Sequence, residues 1–456
     1  MKILMWHGYL LTGSGSNIYT SNIANRWRDA GHDVMLMCQE HHVEMLSYVD
    51  AFGEFDSDNR SFEVRRTGIT EASGRVQLIR PYIGNVLPVY VYDEYEGFTA
   101  KRFVDLNDDE LDVYTQANIV AMITAIEQHE PDAIITGHEV MGPYIALKAC
   151  EATGTSYLTK LHGSALEYAV KQQPRYKQYA EIGLRGARVV TGGSEYMLEE
   201  ASSIIPGWRD KAVVVNPGCD VELFQPTDDH DSRELVVGYV GKFLVQKGVH
   251  NLLASLGLTG DYPMKTVIVG YGDLDGVLRE LWDALQTEDV SALRSIAAGD
   301  GRRRLDDLVT FVDSDGLDAS YTRRARDIAL EFTGRLDHGP LSKVLPTFDV
   351  LVVPSVLAEA FGMVAAEAAA CGVLPVVPRH SGIGEAGAAV EQALGEPGLL
   401  SYDPADPIRG IAERIDAIAA IPRPRREEMS RAAVELARER WSWAHVAETL
   451  LRYAVS

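Results

Sequence analysis

Cysteine and long apolar segments are scarce in this sequence of 456 residues. The four cysteines, Cys38, Cys150, Cys219 and Cys371, lie far apart and show no CxxC or metal-ligand spacing. We therefore expect free thiols in a reducing compartment rather than a disulfide framework. No run of about 18 apolar residues is present, which argues against a transmembrane helix. The first apolar run, 1–6, is too short for a signal peptide and predicts a strand, so we expect a cytoplasmic protein.

Positive charge, and lysine in particular, is also scarce. Lys plus Arg number 43 against 66 for Asp plus Glu, which gives a net charge of −23, and the pI is about 4.9. Because nucleic acids and anionic membranes select basic surfaces, this balance argues against both as partners. Only 11 of the 43 basic residues are lysine. Two lysines close together in this chain are therefore unusual.

Short apolar runs alternate with amphipathic stretches, over a length that suggests two domains. This alternation is typical of an α/β fold with parallel sheets covered by helices on both faces. The predicted strands are residues 2–5, 33–37, 133–136, 156–161, 188–191, 212–215, 235–240, 266–269, 308–311, 350–353 and 374–377.

A turn signal, Asn216-Pro217-Gly218, and the polar stretch 225–233 separate the two halves. We expect a first domain of residues 1–220 and a second of residues 221–439. A last helix, 440–456, which includes Trp441-Ser442-Trp443, is expected to pack back on the first domain. Extra strands and loops are expected at 40–110, and an insertion at 281–330.

The most informative segment is 354–367, with the sequence PSVLAEAFGMVAAE, which follows a predicted strand. A loop of small residues that leads into a helix presents free backbone N–H groups to an anion. Glu359 lies in this loop and Glu367 in the helix. A loop carboxylate suits the hydroxyl groups of a sugar or ribose; the alternative is a helix start with a surface glutamate.

A second strand-to-helix segment, 238–248, contains Lys242 and Lys247, two of the 11 lysines. Two cations in one loop would neutralise a diphosphate leaving group. The alternative is a pair of solvated lysines at a helix start. Between the two segments, the glycines of 267–273, including Gly270, end a strand in a tight turn that serves either packing or nucleotide binding.

The spacing of Glu359 and Glu367 resembles the Glu-x7-Glu motif of retaining glycosyltransferases with the GT-B architecture, in particular glycosyltransferase family 4, or group 1. The resemblance implies two facing Rossmann-like domains with parallel sheets. It also implies that Glu359 contacts the donor sugar and that Glu367 binds the ribose hydroxyls of the nucleotide. The backbone implied to contact the sugar and phosphate is that of Phe361, Gly362, Met363 and Val364.

Other donor-binding residues are implied by the same resemblance. The family usually has Arg-x4-Lys where this chain has Lys242 and Lys247, so the charge is kept but the bidentate fork of arginine is lost. Gly241 lies in the same segment. The segment 332–336 resembles the family segment that contacts the nucleotide base through its backbone, which includes Gly334. Arg335 would either stack on that base or be a surface arginine.

The first half carries a glycine-rich loop, 13–19, that resembles the first loop of family 4 enzymes. The resemblance implies that Gly15 approaches the diphosphate. Asn17 would face the acceptor or donor sugar, or simply cap the following helix.

Polar residues also follow the predicted strands of the first half, where the carboxyl ends of the strands form the ligand-binding edge. His162 occupies the place of a family histidine that contacts the donor sugar. His138 and Glu139 are candidates for acceptor contact or for a capped loop. Ser194 is a candidate for acceptor or phosphate contact.

The ordered motifs predict a retaining glycosyltransferase that moves a sugar from a nucleotide-diphosphate sugar to a hydroxyl acceptor. The implied catalytic residues are His162, Lys242, Lys247 and Glu359, and the implied mechanism is front-face. We expect no cofactor and no metal, because the four Asp-x-Asp patterns are about as many as chance produces in so acidic a chain.

The expected partners are the donor and a small soluble acceptor, without nucleic acid or a transmembrane segment, and a homo-oligomer is left open. Two alternatives share the architecture: a sugar-nucleotide 2-epimerase and a non-catalytic nucleotide-sugar binder.

Overall fold

The computed structural model describes residues 1–66, 72–91, 97–227, 234–287, 289–299, 303–314 and 317–455. The chain divides into two compact units. The N-terminal unit contains Met1–Pro217 and Trp443–Ser456, and the C-terminal unit contains Gly218–Ser442. The boundaries expected from the sequence are 220 and 440. Of the polar stretch expected at the boundary, residues 228–233 lie outside the described residues.

The N-terminal unit is built on a large sheet of mainly parallel strands. Its strands are β1 (Lys2–Trp6), β2 (Asp33–Met37), β3 (Ala51–Phe55), β4 (Phe62–Arg66), β5 (Arg75–Arg80), β6 (Val86–Val89), β7 (Thr99–Arg102), β8 (Ala133–Gly137), β9 (Leu158–Lys160), β10 (Val189–Gly192) and β11 (Ala212–Val214). The sheet has the order β11-β10-β9-β8-β1-β2-β5-β3-β4, and its strands pair in parallel except β3 with β4. β6 and β7 form a separate pair. β3 to β7 account for the irregular stretch expected at 40–110.

Helices connect the parallel strands of this unit. They are α1 (Gly15–Asp29), α2 (Asp108–His129), α3 (Gly142–Thr153), α4 (Pro174–Gly186) and α5 (Glu195–Ile204). Local capping explains where two of them begin. The Ser14 side chain accepts from the Asn17 N–H at the start of α1, and Asn107 and Glu110 form a capping box at the start of α2.

The C-terminal unit has its own parallel sheet. Its strands are β12 (Leu235–Lys242), β13 (Met264–Tyr271), β14 (Ala329–Gly334), β15 (Val350–Val352), β16 (Leu374–Pro378) and β17 (Ser401–Tyr402). The order is β14-β13-β12-β15-β16-β17, with parallel pairing throughout. β15 and β16 are apolar and buried along their whole length, as expected for central strands covered on both faces.

Ten helices are seen in the described part of the C-terminal unit. They are α6 (Val249–Leu256), α7 (Asp275–Leu285), α8 (Val290–Ala298), α9 (Asp306–Val312), α10 (Ala319–Asp327), α11 (His338–Val344), α12 (Met363–Ala370), α13 (Ser381–Leu394), α14 (Pro407–Ala419) and α15 (Arg423–Arg440). Helices α8, α9 and α10 lie in the stretch that the sequence marks as an insertion.

The last helix, α16 (Trp443–Val455), belongs to the N-terminal unit and packs against α1 and β8. The Trp27 indole N–H donates to the Ala447 carbonyl at 2.9 Å. The apolar face of α16, including Trp443 and Leu450, is buried. Both polar and apolar contacts therefore hold this helix in place.

Two predicted elements differ from the structure. Residues 308–311, predicted as a strand, lie in α9, where Leu308, Phe311 and Val312 are buried at the i, i+3, i+4 spacing of one helix face. A four-residue apolar run does not distinguish a strand from a buried helix. The sequence predicts Lys242 in a loop after a strand that ends at 240, but β12 extends through it. In the chain as described, no helix combines the length and apolarity needed to cross a membrane.

Candidate functional site

Two loops of the C-terminal unit meet at the ends of neighbouring strands. β12 and β15 pair in parallel, so the segments after them leave the same edge of the sheet. The Lys247 ammonium lies 2.9 Å from Glu359 Oε1, and the Val356 N–H donates to the Gln246 carbonyl at 2.9 Å. Gly248 permits this approach, because a Cβ there would lie 1.8 Å from a carbonyl oxygen of the opposite loop. The structure thus joins two segments that the sequence singled out separately.

The carboxylate of Glu359 is held by residues for which the sequence analysis gave no role. The Ser355 hydroxyl donates to Glu359 Oε1, and the Glu359 N–H donates to Ser381 Oγ at 3.0 Å. His380 Nε2 donates to the Ser355 carbonyl at 3.1 Å, and His380 Nδ1 lies 3.0 Å from Ser381 Oγ. Ser381 has φ of +52°, a strained conformation that clusters at functional sites. Ser355 follows β15, and His380 and Ser381 follow β16, so their position after strands at the same sheet edge is the signal that could have found them.

The start of α12 presents backbone N–H groups next to the Glu359 loop. Gly362 precedes the helix with φ of +90°, which strains any residue with a side chain, and a Cβ there would lie 2.1 Å from Ile383 Cδ1, so a larger residue would also displace Ile383. Met363 and Val364 are the first helical residues, whose N–H groups have no partner within a helix. Phe361 is buried against Trp441, with ring centroids 5.6 Å apart. This arrangement offers donors to an anion without using a side chain.

Glu367 lies one turn further along α12 and is largely buried, with 8 % of its surface exposed. Burial raises the pKa of its carboxyl group to about 8. The neighbouring thiols of Cys219 and Cys371 are also buried and free, and burial raises the pKa of both. Glu367 is therefore a largely protonated carboxyl group at neutral pH, which can donate as well as accept a hydrogen bond.

The predicted donor-binding glycines differ in whether neighbouring atoms leave room for a side chain. Gly241 and Gly270 are paired in β12 and β13, and a Cβ on Gly270 would lie 2.0 Å from the Gly241 carbonyl oxygen. Close strand packing therefore already requires Gly270. At Gly334, which has φ of +77°, an added Cβ would meet nothing within 4 Å, so the backbone is open to a ligand.

Arg335 and Tyr271 form an exposed pair at the ends of β14 and β13. The Arg335 guanidinium lies 5.3 Å from the centre of the Tyr271 ring and 3.0 Å from an Asp337 carboxylate oxygen. Tyr271 is 44 % exposed and had no role in the sequence analysis. An exposed ring next to a planar cation is a surface on which a base can stack. Lys242, at the end of β12, is exposed at the same edge.

The N-terminal unit brings three histidines together at the carboxyl edge of its sheet. His7 follows β1, His138 follows β8 and His162 follows β9. The ring centroids of His138 lie 4.9 Å from those of His162 and 5.9 Å from those of His7. Burial is the main cause that lowers the pKa of all three, to about 4 for His7 and well below the ordinary value for the others. The cluster is therefore neutral at pH 7 and acts through hydrogen bonds rather than charge.

Asn17 is fixed by His7, which the sequence analysis missed although it too follows a predicted strand. His7 Nε2 donates to Asn17 Oδ1 at 2.9 Å, and Thr20 Oγ1 then donates to His7 Nδ1 at 3.0 Å. The amide of Asn17 donates to the Thr12 carbonyl at 2.5 Å. The cap of α1 is Ser14, so the reading of Asn17 as the helix cap is wrong. Asn17 instead ties the glycine-rich loop to the histidines.

The other predicted residues of this unit differ in how they are engaged. Gly15 is the first residue of α1, and an added Cβ would meet nothing within 4 Å. His138 has φ of +70°, and both of its ring nitrogens are buried without a hydrogen-bond partner. Glu139 is buried, with a pKa raised by burial to about 7, and its Oε1 accepts from the N–H of Gly163 at 2.7 Å. It therefore braces the loop of His162, from whose N–H it also accepts.

Ser194 and Lys160 are two further polar residues near the ends of these strands. The hydroxyl of Ser194 accepts from the Met197 N–H at 3.2 Å and caps α5, which occupies the side chain proposed for acceptor contact. Lys160 is buried, donates to the Val215 carbonyl and faces the Tyr19 ring at 5.3 Å. Burial lowers the pKa of Lys160 to about 7.

Comparisons with known proteins identify the family and the fold. Residues 14–218 match the family model of the glycosyl transferase 4-like domain, and residues 277–420 match that of glycosyl transferases group 1. The chain is similar to D-inositol 3-phosphate glycosyltransferases: 28% identical over 387 residues to that of Mycobacteroides abscessus, covering 78% of this chain and 74% of the relative. The match to that of Mycolicibacterium vanbaalenii is 30% over 247 residues and covers 52% of this chain.

The chain spans about half the length of some curated relatives, 46% for those of Rhodococcus opacus and Mycolicibacterium vanbaalenii. Among solved structures, sucrose-phosphate synthase from Thermosynechococcus elongatus has a TM-score of 0.57 at 19% identity, covering 99% of this chain and 97% of that one. Anabaena HepE in complex with UDP has a TM-score of 0.60 at 15% identity and 99% coverage of both chains. The two family models together span about three quarters of the chain. The chain therefore belongs to the group 1 glycosyltransferases and has their GT-B fold, which confirms the family and the fold class predicted from its motifs.

Proposed function

We propose that this protein transfers a sugar from a nucleotide-diphosphate sugar to a hydroxyl group of an acceptor, with retention of the anomeric configuration. The contact between Lys247 and Glu359 carries the proposal, because it sets a cation beside a sugar-orienting carboxylate at the edge of a parallel sheet. A diphosphate needs the cation, and sugar hydroxyls need the carboxylate.

The donor would bind to the C-terminal unit. Its diphosphate would accept from the N–H groups of Met363 and Val364 and face Lys247 and Lys242. Its ribose would meet Glu367, and its base would lie near the exposed Tyr271 ring and Arg335. HepE structures hold UDP, UDP and glucose, or UDP-glucose, which supports a nucleotide sugar as donor.

The chemistry would be front-face transfer. The sugar–phosphate bond lengthens while the acceptor oxygen approaches the same face, and the leaving diphosphate takes the proton of the acceptor hydroxyl. Lys242 and Lys247 would stabilise the charge that develops on the diphosphate, so this mechanism needs no metal ion. Glu359 would hold the donor sugar through hydrogen bonds.

The acceptor would be a small polyol, recognised by the N-terminal unit. The relatives named for D-inositol 3-phosphate make a phosphorylated cyclitol the first acceptor to test. Neutral histidines suit hydroxyl groups, since each ring has one donor and one acceptor nitrogen. His138, whose buried nitrogens lack partners, would gain a hydrogen bond from such a group.

The first test identifies the donor. The melting temperature is measured with UDP-, ADP- and GDP-hexoses in turn, since a ligand that binds the folded state raises it. With the best donor and D-inositol 3-phosphate or a panel of other polyols, Lys247→Ala should lower kcat at least about 100-fold. Lys265→Ala is the matched control, because Lys265 is a surface lysine paired with Glu331. Near-normal turnover of Lys247→Ala would contradict the assignment.

Two measurements separate the finer claims and the alternatives. The coupling constant of the anomeric proton in the product reports retention, and an unchanged rate in EDTA is expected for metal-independent transfer. Donor incubated without acceptor distinguishes the classes. Epimerised donor would identify a 2-epimerase, whereas donor binding without turnover against every acceptor would identify a sensor.

A further inference from the structure

We propose that the C-terminal unit carries a second anion-binding site, centred on the Arg324 guanidinium and distinct from the proposed donor site. The site would take an oxyanion, such as the phosphate group of a small molecule. It is a cavity of about 430 Å³ between α10 and the segment 257–261 that follows α6. α10 lies in the stretch 281–330, to which the sequence motifs assign no function.

Arg324 is buried without a carboxylate to balance its charge. Only 9 % of its surface is exposed, and its guanidinium is permanently charged. Its Nε donates to Thr259 Oγ1 at 3.1 Å, and its face lies 5.2 Å from the centre of the Tyr262 ring. Its Nη2 is buried with no hydrogen-bond partner. Within the described ranges, no Asp or Glu oxygen forms an ion pair with it.

A buried charge without a counter-ion is costly, so such groups are normally paired or bind a ligand. Arginine binds phosphate and carboxylate oxygens through two parallel hydrogen bonds. The neutral Thr259 hydroxyl and the Tyr262 ring hold the guanidinium in place, and Arg324 is one of the residues that line the cavity. The group is therefore preorganised for an anion that fills the space.

The other charged groups at the cavity fit this interpretation. Arg323 and Arg409 line it and are exposed, so they add positive charge at the rim. Three aspartates also line it. Asp318 is occupied, because it accepts from the N–H groups of Ser320 and Tyr321 at the start of α10. The other two, Asp261 and Asp327, are exposed to solvent, which screens them. The Arg324 guanidinium is thus buried, whereas the three aspartates are exposed to solvent.

The cavity lies at the opposite end of β13 from the proposed donor site. Thr259 precedes the first residue of β13, whereas Gly270 and Tyr271 end it. An eight-residue strand spans roughly 23 Å between its terminal Cα atoms. A ligand at Arg324 would therefore not compete directly with a nucleotide sugar, and the two sites can be tested separately.

The test measures thermal midpoints in increasing inorganic phosphate, with sodium chloride at equal ionic strength as reference. The midpoint should rise with phosphate for the wild type and for Lys247→Ala, which removes a cation of the donor site. It should rise clearly less for Arg324→Met, whose phosphate affinity at this cavity should fall at least tenfold. A rise in Arg324→Met equal to that of the wild type, or no rise in the wild type, would overturn the proposal.

A second variant covers the case in which Arg324→Met does not fold. Arg323→Ala combined with Arg409→Ala removes two exposed rim cations and should lower phosphate affinity several-fold without loss of structure. Arg326→Ala is the matched control, since Arg326 is exposed on the same helix but does not line the cavity. Equal phosphate affinity in the double variant and the control would overturn the proposal. Glycerol 3-phosphate and citrate, added in turn, show whether phosphate esters or carboxylates bind better.

Discussion

Replacement of Glu367 by glutamine should stabilise the C-terminal unit relative to the wild type, and this gain in stability should grow as the pH rises. Burial raises the pKa of this carboxyl group to about 8, from an ordinary value of 4.5. The folded state therefore holds the proton that the unfolded chain releases, and stability is lost between pH 4.5 and pH 8. Glutamine has nearly the same shape and no charge to bury, so the variant should not show this loss.

The magnitude follows from the pKa difference. Each pH unit in that window costs the wild type about 1.4 kcal/mol, so the penalty is under about 1 kcal/mol at pH 5 and about 3 kcal/mol at pH 7. For a unit of this size, about 3 kcal/mol corresponds to a rise in melting temperature of roughly 6–12 °C. Above pH 8 the penalty should reach about 5 kcal/mol and become constant.

Differential scanning calorimetry of both proteins at pH 5, 7 and 8.5 measures this effect. Glu331→Gln is the control. Glu331 is exposed in β14, so this substitution removes the same charge from the surface instead of from the interior. If the difference in melting temperature between Glu367→Gln and the wild type is the same at all three pH values, the reasoning is refuted. The same variant should bind nucleotide more weakly above pH 8, where the wild-type carboxylate offers the ribose hydroxyls two acceptor oxygens and the amide only one; unchanged affinity at pH 8.5 would count against the ribose role.

Three further substitutions test other parts of the structure. Gly248→Ala should lower the free energy of unfolding by about 1–3 kcal/mol or more and reduce turnover, because the added Cβ would clash with the opposite loop. Gly276→Ala is the control in the same thermal melt; it has open space around it and should be neutral or stabilising. Leu450→Ala should cost about 2–5 kcal/mol in unfolding free energy, because Leu450 is fully buried in α16; equal stability would show that α16 is not required. Burial lowers the pKa of Lys160 from 10.5 to about 7, so the wild type loses stability below pH 10.5, where the unfolded chain binds a proton that the folded state releases. Lys160→Met should therefore stabilise the protein most at pH 7 and below and progressively less toward pH 10.5. A difference in melting temperature that does not depend on pH would contradict this.

Most of the fold was predictable because buried parallel strands leave a plain signal. The runs 350–353 and 374–377 are apolar and bounded by turn residues, and both are strands. The run 308–311 is also mainly apolar but lies in α9, since a short apolar run also fits one face of a helix. Local pattern therefore predicted the fold class, and tertiary packing decided the exception.

The candidate site was predictable only in pieces. The segments of Lys247 and Glu359 each carry a motif, but 112 residues separate them, and their contact depends on the pairing of β12 with β15. His7 and His380 belong to no recognisable motif. Each becomes significant only because the topology brings several strand ends to one edge, which sequence spacing does not express.

The position of α16 has a consequence for how the protein is made. This helix completes the N-terminal unit, yet the 225 residues of Gly218–Ser442 are synthesised before it. At about 5–20 residues per second, that interval is roughly 11–45 s. During that time the apolar surface of α1 and β8 that α16 covers is exposed. The unit synthesised first is thus the last to be completed, and its folding must wait for the end of the chain.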